Sequence, residues 1–189
     1  MTIGIALGNG KSRKGIDVQH LRSYGIVAGC NRIYQEEEVD ILVSTDRQMA
    51  AEIEDSGYAK AHEFWTRRPR PDTGSRKLKR PTYGYSSGPA AIAQLCEKGC
   101  KDIFFIGFDL GSTDQYVNNL YAGTAWYKTP DMKPTYYGNW VNQLKQVSER
   151  WSNNIFYRVI GKESTAFDFE RPNILDINMS DFKSRINSL

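Results

Sequence analysis

The sequence is poor in the residues that most often act as bases, nucleophiles or metal ligands. Its 189 residues include two histidines and three cysteines. Cys96 and Cys100 are one helical turn apart, but His20 and His62 are distant in sequence, so the spacing favours buried thiols over a zinc site. With Cys30 they are too few for a disulfide framework, which favours a reducing compartment. We therefore expect no metal.

Several signals of common protein classes are also missing. The sequence contains no Gly-x-x-x-x-Gly-Lys-Ser/Thr phosphate loop and no Gly-x-Ser-x-Gly nucleophile elbow. No apolar stretch approaches the ~20 residues that span a bilayer. The N-terminus lacks the basic start and long apolar run of a signal peptide. We therefore expect no membrane span and a cytoplasmic location.

Apolar runs alternate with helix-like segments, a pattern typical of a parallel sheet covered by helices. We predict an α/β protein with one Rossmann-like domain over residues 1–189, in which helices flank a mostly parallel sheet. The predicted strands are residues 3–7, 25–28, 40–44, 61–64, 102–106 and 155–160. The predicted helices are residues 17–23, 47–54, 89–98, 139–151 and 181–187.

Glycines and small polar residues follow the predicted strands, beginning with Gly8-Asn9-Gly10-Lys11-Ser12. A strand that ends in glycines often brings backbone N–H groups to a phosphate or nucleotide, although ordinary turns carry glycine and asparagine as well. In parallel sheets, ligands bind at the carboxyl ends of the strands. The candidate nucleotide-binding residues at these ends are Asn9, Gly10, Ser12, Asn31, Thr45 and Asp46.

A helix start near residue 87 is predicted to face the same edge. Ser87 has the chemistry of an N-cap, and Gly88 or Pro89 suits the first turn. The free N–H groups of the first turn and the helix dipole would then favour an anion there. Capping alone also explains Ser87, whereas Gly88 and Ala90 leave room for a phosphate or sugar. We include Ser87 and Gly88 among the nucleotide-binding candidates.

Two carboxylates lie at this predicted edge, Asp46 after the third strand and Asp109 after the fifth. Each serves either as an orienting group, a metal ligand or a base, or as the cap of the next element. His20 and His62 fall in a predicted surface helix and a predicted strand. We interpret both as structural rather than as general bases.

A basic, proline-containing stretch covers about residues 66–81. The net charge of the chain is only +3, so its composition alone does not predict a nucleic-acid partner. We expect a mobile loop that is a solvated surface, a lid over a polyanionic ligand or a nucleic-acid contact. The candidates for phosphate contact in a lid are Arg67, Arg68 and Arg70.

A second long segment, about residues 110–137, is rich in tyrosine and lacks clear periodicity. Loops of this length in a compact domain are often functional. Tyrosines suit the binding of sugars and nucleotides, because each offers a flat apolar face and a hydroxyl group. They also serve simply to wrap a small core. Tyr116, Tyr121 and Tyr136 are the candidates in this loop.

Four short motifs occur in order along the chain. They are Gly8-Asn9-Gly10-Lys11-Ser12 with Ile16-Asp17 and Leu21 behind it, Cys30-Asn31-Arg32-Ile33-Tyr34, Ser86-Ser87-Gly88, and Ile106-Gly107-Phe108-Asp109. Together they resemble the bacterial sialyltransferases of glycosyltransferase family 42 and related Rossmann-like proteins, including motility-associated transferases. The resemblance covers under half of the chain. The chain is also similar to small sialyltransferase-like reading frames of tailed phages, which would place it in the host cytoplasm.

The resemblance implies a modified Rossmann fold, a cytidine-monophosphate sugar donor as substrate, and no metal or other cofactor. It implies that Asn9 and Gly10 approach the donor phosphate and ribose. It also implies that Asn31 contacts the ribose or base, and that Ser87 with Gly88 contacts the cytidine.

The sequence departs from the family pattern at several positions. Tyr136 stands where the family has a histidine base, Gly111 where one tyrosine is expected, and Thr45 where an asparagine is expected. The lid region is shorter and more basic. The resulting catalytic candidates are Tyr136, Tyr116, Tyr121 and Asp109.

These observations predict a metal-independent glycosyltransferase-like protein that uses a nucleotide sugar and an unidentified acceptor. The alternative is a non-catalytic phage-type assembly or binding protein that keeps the fold. A third interpretation is a nucleic-acid-binding module that uses the basic loop.

Overall fold

Eight parallel strands form the sheet around which the chain is built. A computed structural model describes residues 2–188. The strand order is β5-β4-β3-β2-β1-β6-β7-β8, and every pairing is parallel. The strands are β1 (Ile3–Leu7), β2 (Gly25–Cys30), β3 (Ile41–Ser44), β4 (Phe64–Thr66), β5 (Arg76–Lys77), β6 (Asp102–Ile106), β7 (Ile155–Ile160) and β8 (Ile174–Asn178).

Helices cover both faces of the sheet, which confirms the predicted α/β class. The helices are α1 (Val18–Arg22), α2 (Arg47–Asp55), α3 (Tyr58–Ala61), α4 (Ser87–Glu97), α5 (Gly138–Arg150) and α6 (Met179–Asn187). α4 and α5 pack in one apolar cluster, and α1, α2, α3 and α6 pack in the other. Within residues 2–188, none of these helices has the length and apolar character needed to cross a membrane.

The central strand β1 is buried along its whole length, between β2 and β6. Burial on both faces explains why its sequence is a continuous apolar run rather than an alternating one. α4 is buried almost as completely, because it packs on β1, β2 and β3 and also contacts α5. The small residues Ala90, Ala91 and Ala93 therefore serve helix–sheet packing.

The structure corrects two of the predicted elements and adds two strands at the edges of the sheet. The strand predicted at residues 61–64 lies at Phe64–Thr66, because Tyr58–Ala61 is helical. β5 and β8, at the two edges of the sheet, were not predicted. α4 has Ser86 as its N-cap, without a capping side-chain hydrogen bond, so the prediction that Ser87 is the cap is wrong.

Candidate functional site

The strand order reverses between β1 and β6. The chain moves from β1 outward to β5 on one side and returns to β6 on the other. The loops that follow these two strands, residues 8–10 and 107–109, are joined by backbone hydrogen bonds. The N–H of Gly8 donates to Ile106 O at 2.8 Å, and the N–H of Gly10 donates to Gly107 O at 2.9 Å. In open parallel sheets this switch point is where ligands bind.

The glycines of these loops are explained by the contact between the loops. A Cβ on Gly8 would lie 2.4 Å from Gly107 O, and one on Gly10 would lie 2.4 Å from Asp109 Oδ2. Gly107 itself has a φ of +77°, a conformation that favours glycine. For Gly8 and Gly10 the sequence left open the approach of a ligand and an ordinary turn. The structure gives them a packing role that holds with or without a ligand.

A cavity of about 480 Å³ opens at this end of the sheet. This volume lies in the range of small-molecule sites, about 300–1,000 Å³. The predicted residues that line it are Asn9, Gly10, Asn31, Thr45, Ser87, Gly88 and Asp109. The predicted residues outside its lining are Ser12, Asp46, Tyr116, Tyr121, Tyr136, Arg67, Arg68 and Arg70.

Asn31 and Ser87 meet at the cavity although 56 positions separate them in sequence. Asn31 follows β2 with a φ of +57°, and its Oδ1 accepts hydrogen bonds from Ser44 Oγ at 3.0 Å and Ser87 Oγ at 2.9 Å. The N–H of Thr45 donates to Ser87 Oγ at 2.9 Å. These bonds fix the Asn31 amide. Its Nδ2 donates to no acceptor within residues 2–188, so that group is available to a ligand.

The N-terminus of α4 brings two further donors to the cavity. The N–H groups of Ser87 and Gly88 belong to the first turn and have no acceptor in the described part of the chain, and Pro89 has no N–H. A Cβ on Gly88 would lie 2.8 Å from Phe108 Cε1. The missing side chain therefore accommodates Phe108.

Asn9 contributes an acceptor. The side chain is buried, and its Nδ2 makes long contacts with Cys30 O at 3.5 Å and the Tyr127 hydroxyl at 3.4 Å. Its Oδ1 is buried and has no hydrogen-bond partner among residues 2–188. A buried unpaired acceptor costs about 1–3 kcal/mol, a cost that a donor on a ligand would remove.

Asp109 holds the neighbouring loops together. The carboxylate is buried; its Oδ2 accepts from the N–H of Ser12 at 3.0 Å and its Oδ1 accepts from Ser164 Oγ at 2.7 Å. Ser12 therefore takes part through its backbone. Asp46 has the capping role that the sequence left open, since its side chain accepts from two N–H groups at the start of α2.

The predicted tyrosines have roles away from the cavity. Tyr121 is buried, and its hydroxyl accepts from Arg13 Nη2 at 3.0 Å and donates to Glu36 Oε2 at 3.1 Å. Burial raises the pKa of Tyr121, so its hydroxyl stays protonated at neutral pH and is not available as a base. Tyr116 is 46% exposed and Tyr136 is 77% exposed. The structure therefore does not bring the three predicted tyrosines together.

The basic stretch lies beside the body rather than over the cavity. Arg70 forms ion pairs with Glu54 and Asp55, both at 2.6 Å. Arg67 Nη2 donates to Tyr85 O at 2.8 Å, and Arg68 Nε donates to the Tyr83 hydroxyl at 3.4 Å. The sequence left open a solvated surface, a lid over a polyanionic ligand and a nucleic-acid contact for this stretch. In the structure Arg70 is ion-paired and none of the three arginines lines the cavity.

Sequence reasoning missed the residues that cover the cavity. Trp126, Tyr127 and Lys128 come from the long loop between β6 and α5, and Trp140 comes from α5. Trp126 Nε1 donates to Glu52 Oε2 at 2.8 Å, which ties the loop to α2. Tyrosine enrichment indicated that this loop was of interest. It did not indicate which tyrosine faces the cavity.

Comparisons with known proteins add little to this geometry. No protein-family model matches the chain, and no curated protein sequence is significantly similar to it. Among solved structures, the chain is similar to the sialyltransferase CstII from Campylobacter jejuni, determined in complex with a substrate analogue, cytidine-5′-monophosphate. The two chains share 14% identity, the match covers 86% of this chain and 81% of that one, and the TM-score is 0.47. A TM-score at this level is too low for the likeness to bear on function.

Proposed function

We propose that the cavity binds the nucleotide of a sugar donor and that the protein is a glycosyltransferase-like enzyme with a cytidine-monophosphate type of donor. The observation that carries the proposal is the set of unpaired polar groups at the switch point. Asn31 Nδ2, the first-turn N–H groups of α4 and the buried Oδ1 of Asn9 all belong to residues that line one cavity.

The donor and acceptor pattern of these groups suits cytidine. Cytosine offers acceptors at O2 and N3, which match the Asn31 amide and the N–H groups of Ser87 and Gly88. Ribose hydroxyls are donors, which match the unpaired Oδ1 of Asn9. Lys128 lines the same cavity and supplies a cation for the phosphate. This assignment keeps the roles that the family resemblance implies for Asn9, Asn31, Ser87 and Gly88.

The geometry favours Asp109 over Tyr136 as the base for transfer. Asp109 is the candidate carboxylate that lines the cavity, whereas Tyr136 is mostly exposed and lies outside its lining. The proposal includes no metal and no other cofactor. Chelator treatment tests that part, because a metal-dependent transferase would lose activity in EDTA.

A panel of nucleoside monophosphates in a thermal-melting assay tests the proposal. Binding to the folded state adds about RT ln(1 + [L]/Kd) to stability, about 2.7 kcal/mol when the nucleotide is at 100 times its Kd. We expect cytidine monophosphate to raise the melting temperature of the wild type, and Asn31→Ala to reduce the effect. Asp46→Ala is the control, because Asp46 lies outside the cavity lining. Equal or absent responses to all nucleotides would contradict the proposal.

A second candidate function is a binding protein without turnover, such as a phage-type assembly component. One observation favours it: both carboxylate oxygens of Asp109 already accept hydrogen bonds from Ser12 and Ser164. A binding protein would respond to the nucleotide in the melting assay. It would neither transfer nor hydrolyse the sugar of a nucleotide-sugar donor.

A further inference from the structure

Two of the seven cations in the basic stretch are held by carboxylates. Arg70 is paired with Glu54 and Asp55, and Arg76 is paired with Glu63 at 3.0 Å. The other five form no ion pair with any carboxylate of residues 2–188. We call these five residues the basic patch: Arg67, Arg68, Lys77, Lys79 and Arg80.

The sheet edge brings the two halves of the basic patch together. β4 and β5 pair in parallel, with Thr66 opposite Lys77, and the N–H of Leu78 donates to Thr66 O at 2.9 Å. Arg67 and Arg68 directly follow β4, and Lys79 and Arg80 lie two and three residues beyond the end of β5. The buried side chain of Leu78 anchors the second segment. The five cations of the basic patch therefore all lie within three residues of the last paired position of two neighbouring strands.

Tyr83 lies next to several cations of the basic patch. Arg68 Nε donates to its hydroxyl, and this bond, together with the charges of Arg68, Lys77 and Arg67, lowers the pKa of Tyr83. An open depression at this point is lined by Leu78, Tyr83 and three cations of the patch: Lys77, Lys79 and Arg80. An aromatic ring beside several cations presents both a stacking surface and phosphate contacts.

Protection of an exposed sheet edge explains only part of the basic patch. Positive charges on an edge strand hinder strand-to-strand aggregation, and Lys77 lies on the edge strand β5. The other four cations lie beyond the ends of β4 and β5. Within residues 2–188 no strand edge is exposed there, so protection against strand pairing does not explain them. Five unpaired cations also exceed what one phosphate group requires.

We propose that the basic patch binds the phosphodiester backbone of single-stranded nucleic acid, at a site separate from the cavity. The two-segment arrangement suits a linear chain of phosphates. No helix of residues 2–188 starts or ends within the patch to enter a duplex groove, which favours a single strand over a duplex.

Fluorescence anisotropy with labelled oligodeoxythymidylate tests this proposal on the full chain. The test variant is Lys77→Gln with Lys79→Gln, since both side chains are exposed and unpaired. The matched control is Lys162→Gln with Lys183→Gln, which removes the same charge beyond β7 and in α6. Each phosphate contact contributes about 0.7 to the slope of log K against log salt for single strands. We expect the test variant to lose about 1.4 of that slope and to bind about tenfold more weakly near 0.1 M salt.

Two outcomes would overturn the proposal. One is equal affinity and slope in the test and control variants. The other is binding of heparin tighter than that of the oligonucleotide, which would make the patch a site for sulfated glycans. Arg68→Gln provides a second test should the double variant not fold; it removes one cation, so a loss of about 0.7 in the salt slope is expected. The melting response to cytidine monophosphate should be unchanged in all these variants, so that failure here is distinct from failure of the cavity proposal.

Discussion

Arg158 on β7 and Asp176 on β8 face each other in register and form a two-point ion pair. Arg158 Nε donates to Asp176 Oδ1 at 2.8 Å, and Nη2 donates to Oδ2 at 2.5 Å. The arginine is fully buried, and its remaining contacts reach Phe108 O and Thr165 O. The pair therefore connects an outer strand of the sheet to the loop that carries Asp109.

Removing the carboxylate of this pair should be strongly destabilising. Asp176→Ala leaves a buried guanidinium without its counter-charge, and breaking such a pair costs about 3–5 kcal/mol. Chemical denaturation measures the free energy of unfolding. Leu175→Ala on the same strand is the control, because Leu175 is 43% exposed. A loss below about 1 kcal/mol for Asp176→Ala would show that solvent already compensates Arg158.

The contact between the two glycine loops should not tolerate a side chain. In Gly8→Ala the new Cβ would lie 2.4 Å from a backbone oxygen, so the loops must separate. We expect a loss of about 1–3 kcal/mol or more. Gly84→Ala is the control, since a Cβ there meets nothing within 4 Å, and we expect a change within about 0.5 kcal/mol. Denaturation midpoints of the two variants compare them. Similar midpoints would contradict the tight contact.

Tyr127 rather than Tyr136 should influence nucleotide binding. Tyr127 lines the cavity and its hydroxyl contacts Asn9 Nδ2, whereas Tyr136 is 77% exposed. Losing a hydrogen bond of about 0.5–1.5 kcal/mol corresponds to a rise in Kd of about 2–10-fold. We expect that rise for Tyr127→Phe and no change for Tyr136→Phe, as measured by calorimetry with cytidine monophosphate. The reverse result would place the ligand on the outer surface of the loop.

The tie between Trp126 and Glu52 should weaken in acid. Burial alone would raise the pKa of Glu52, but hydrogen bonds from Trp126 and Tyr34, together with Arg32, lower it. The stabilisation from these contacts is therefore present above the normal glutamate value, ~4.3, and is lost as the pH falls through the lower folded value. Trp126 fluorescence should report a transition below pH ~4.3.

The background for that titration is Trp65→Phe, because Trp65 Nε1 donates to Glu63, whose pKa is also lowered. Glu52→Gln in this background should abolish the transition. A transition that persists in Glu52→Gln would assign it to another group.

The interior strands were predictable because burial on both faces leaves a continuous apolar run, as in β1. The outer strands carry no such signal. In β8, Ile174 and Ile177 are buried while Leu175 and Asp176 are not, and β5 has two residues, both exposed. Their strand conformation comes from pairing with a neighbour, which local sequence does not encode.

The half of the cavity formed by strand ends was predictable for a similar reason. Asn9, Asn31 and Asp109 lie within three residues of the ends of β1, β2 and β6, and parallel strands end at one edge. Trp126 and Tyr127 lie in a segment without helix or strand between β6 and α5, where position depends on contacts such as that of Trp126 with Glu52. Such contacts leave no periodic pattern in the sequence. The sequence therefore did not show that Tyr127 lines the cavity and Tyr136 does not.

The two sides of the cavity differ in how freely they can change during evolution. One side includes the main chain at Gly8, Gly10 and Gly107, where the Cβ of any other residue would collide with an atom of the facing loop. The other side consists of side chains on a segment that contributes no strand to the sheet. Substitutions that retarget the site to another ligand would therefore accumulate between residues 110 and 137. Chimaeras that exchange this segment would alter selectivity without rebuilding the sheet.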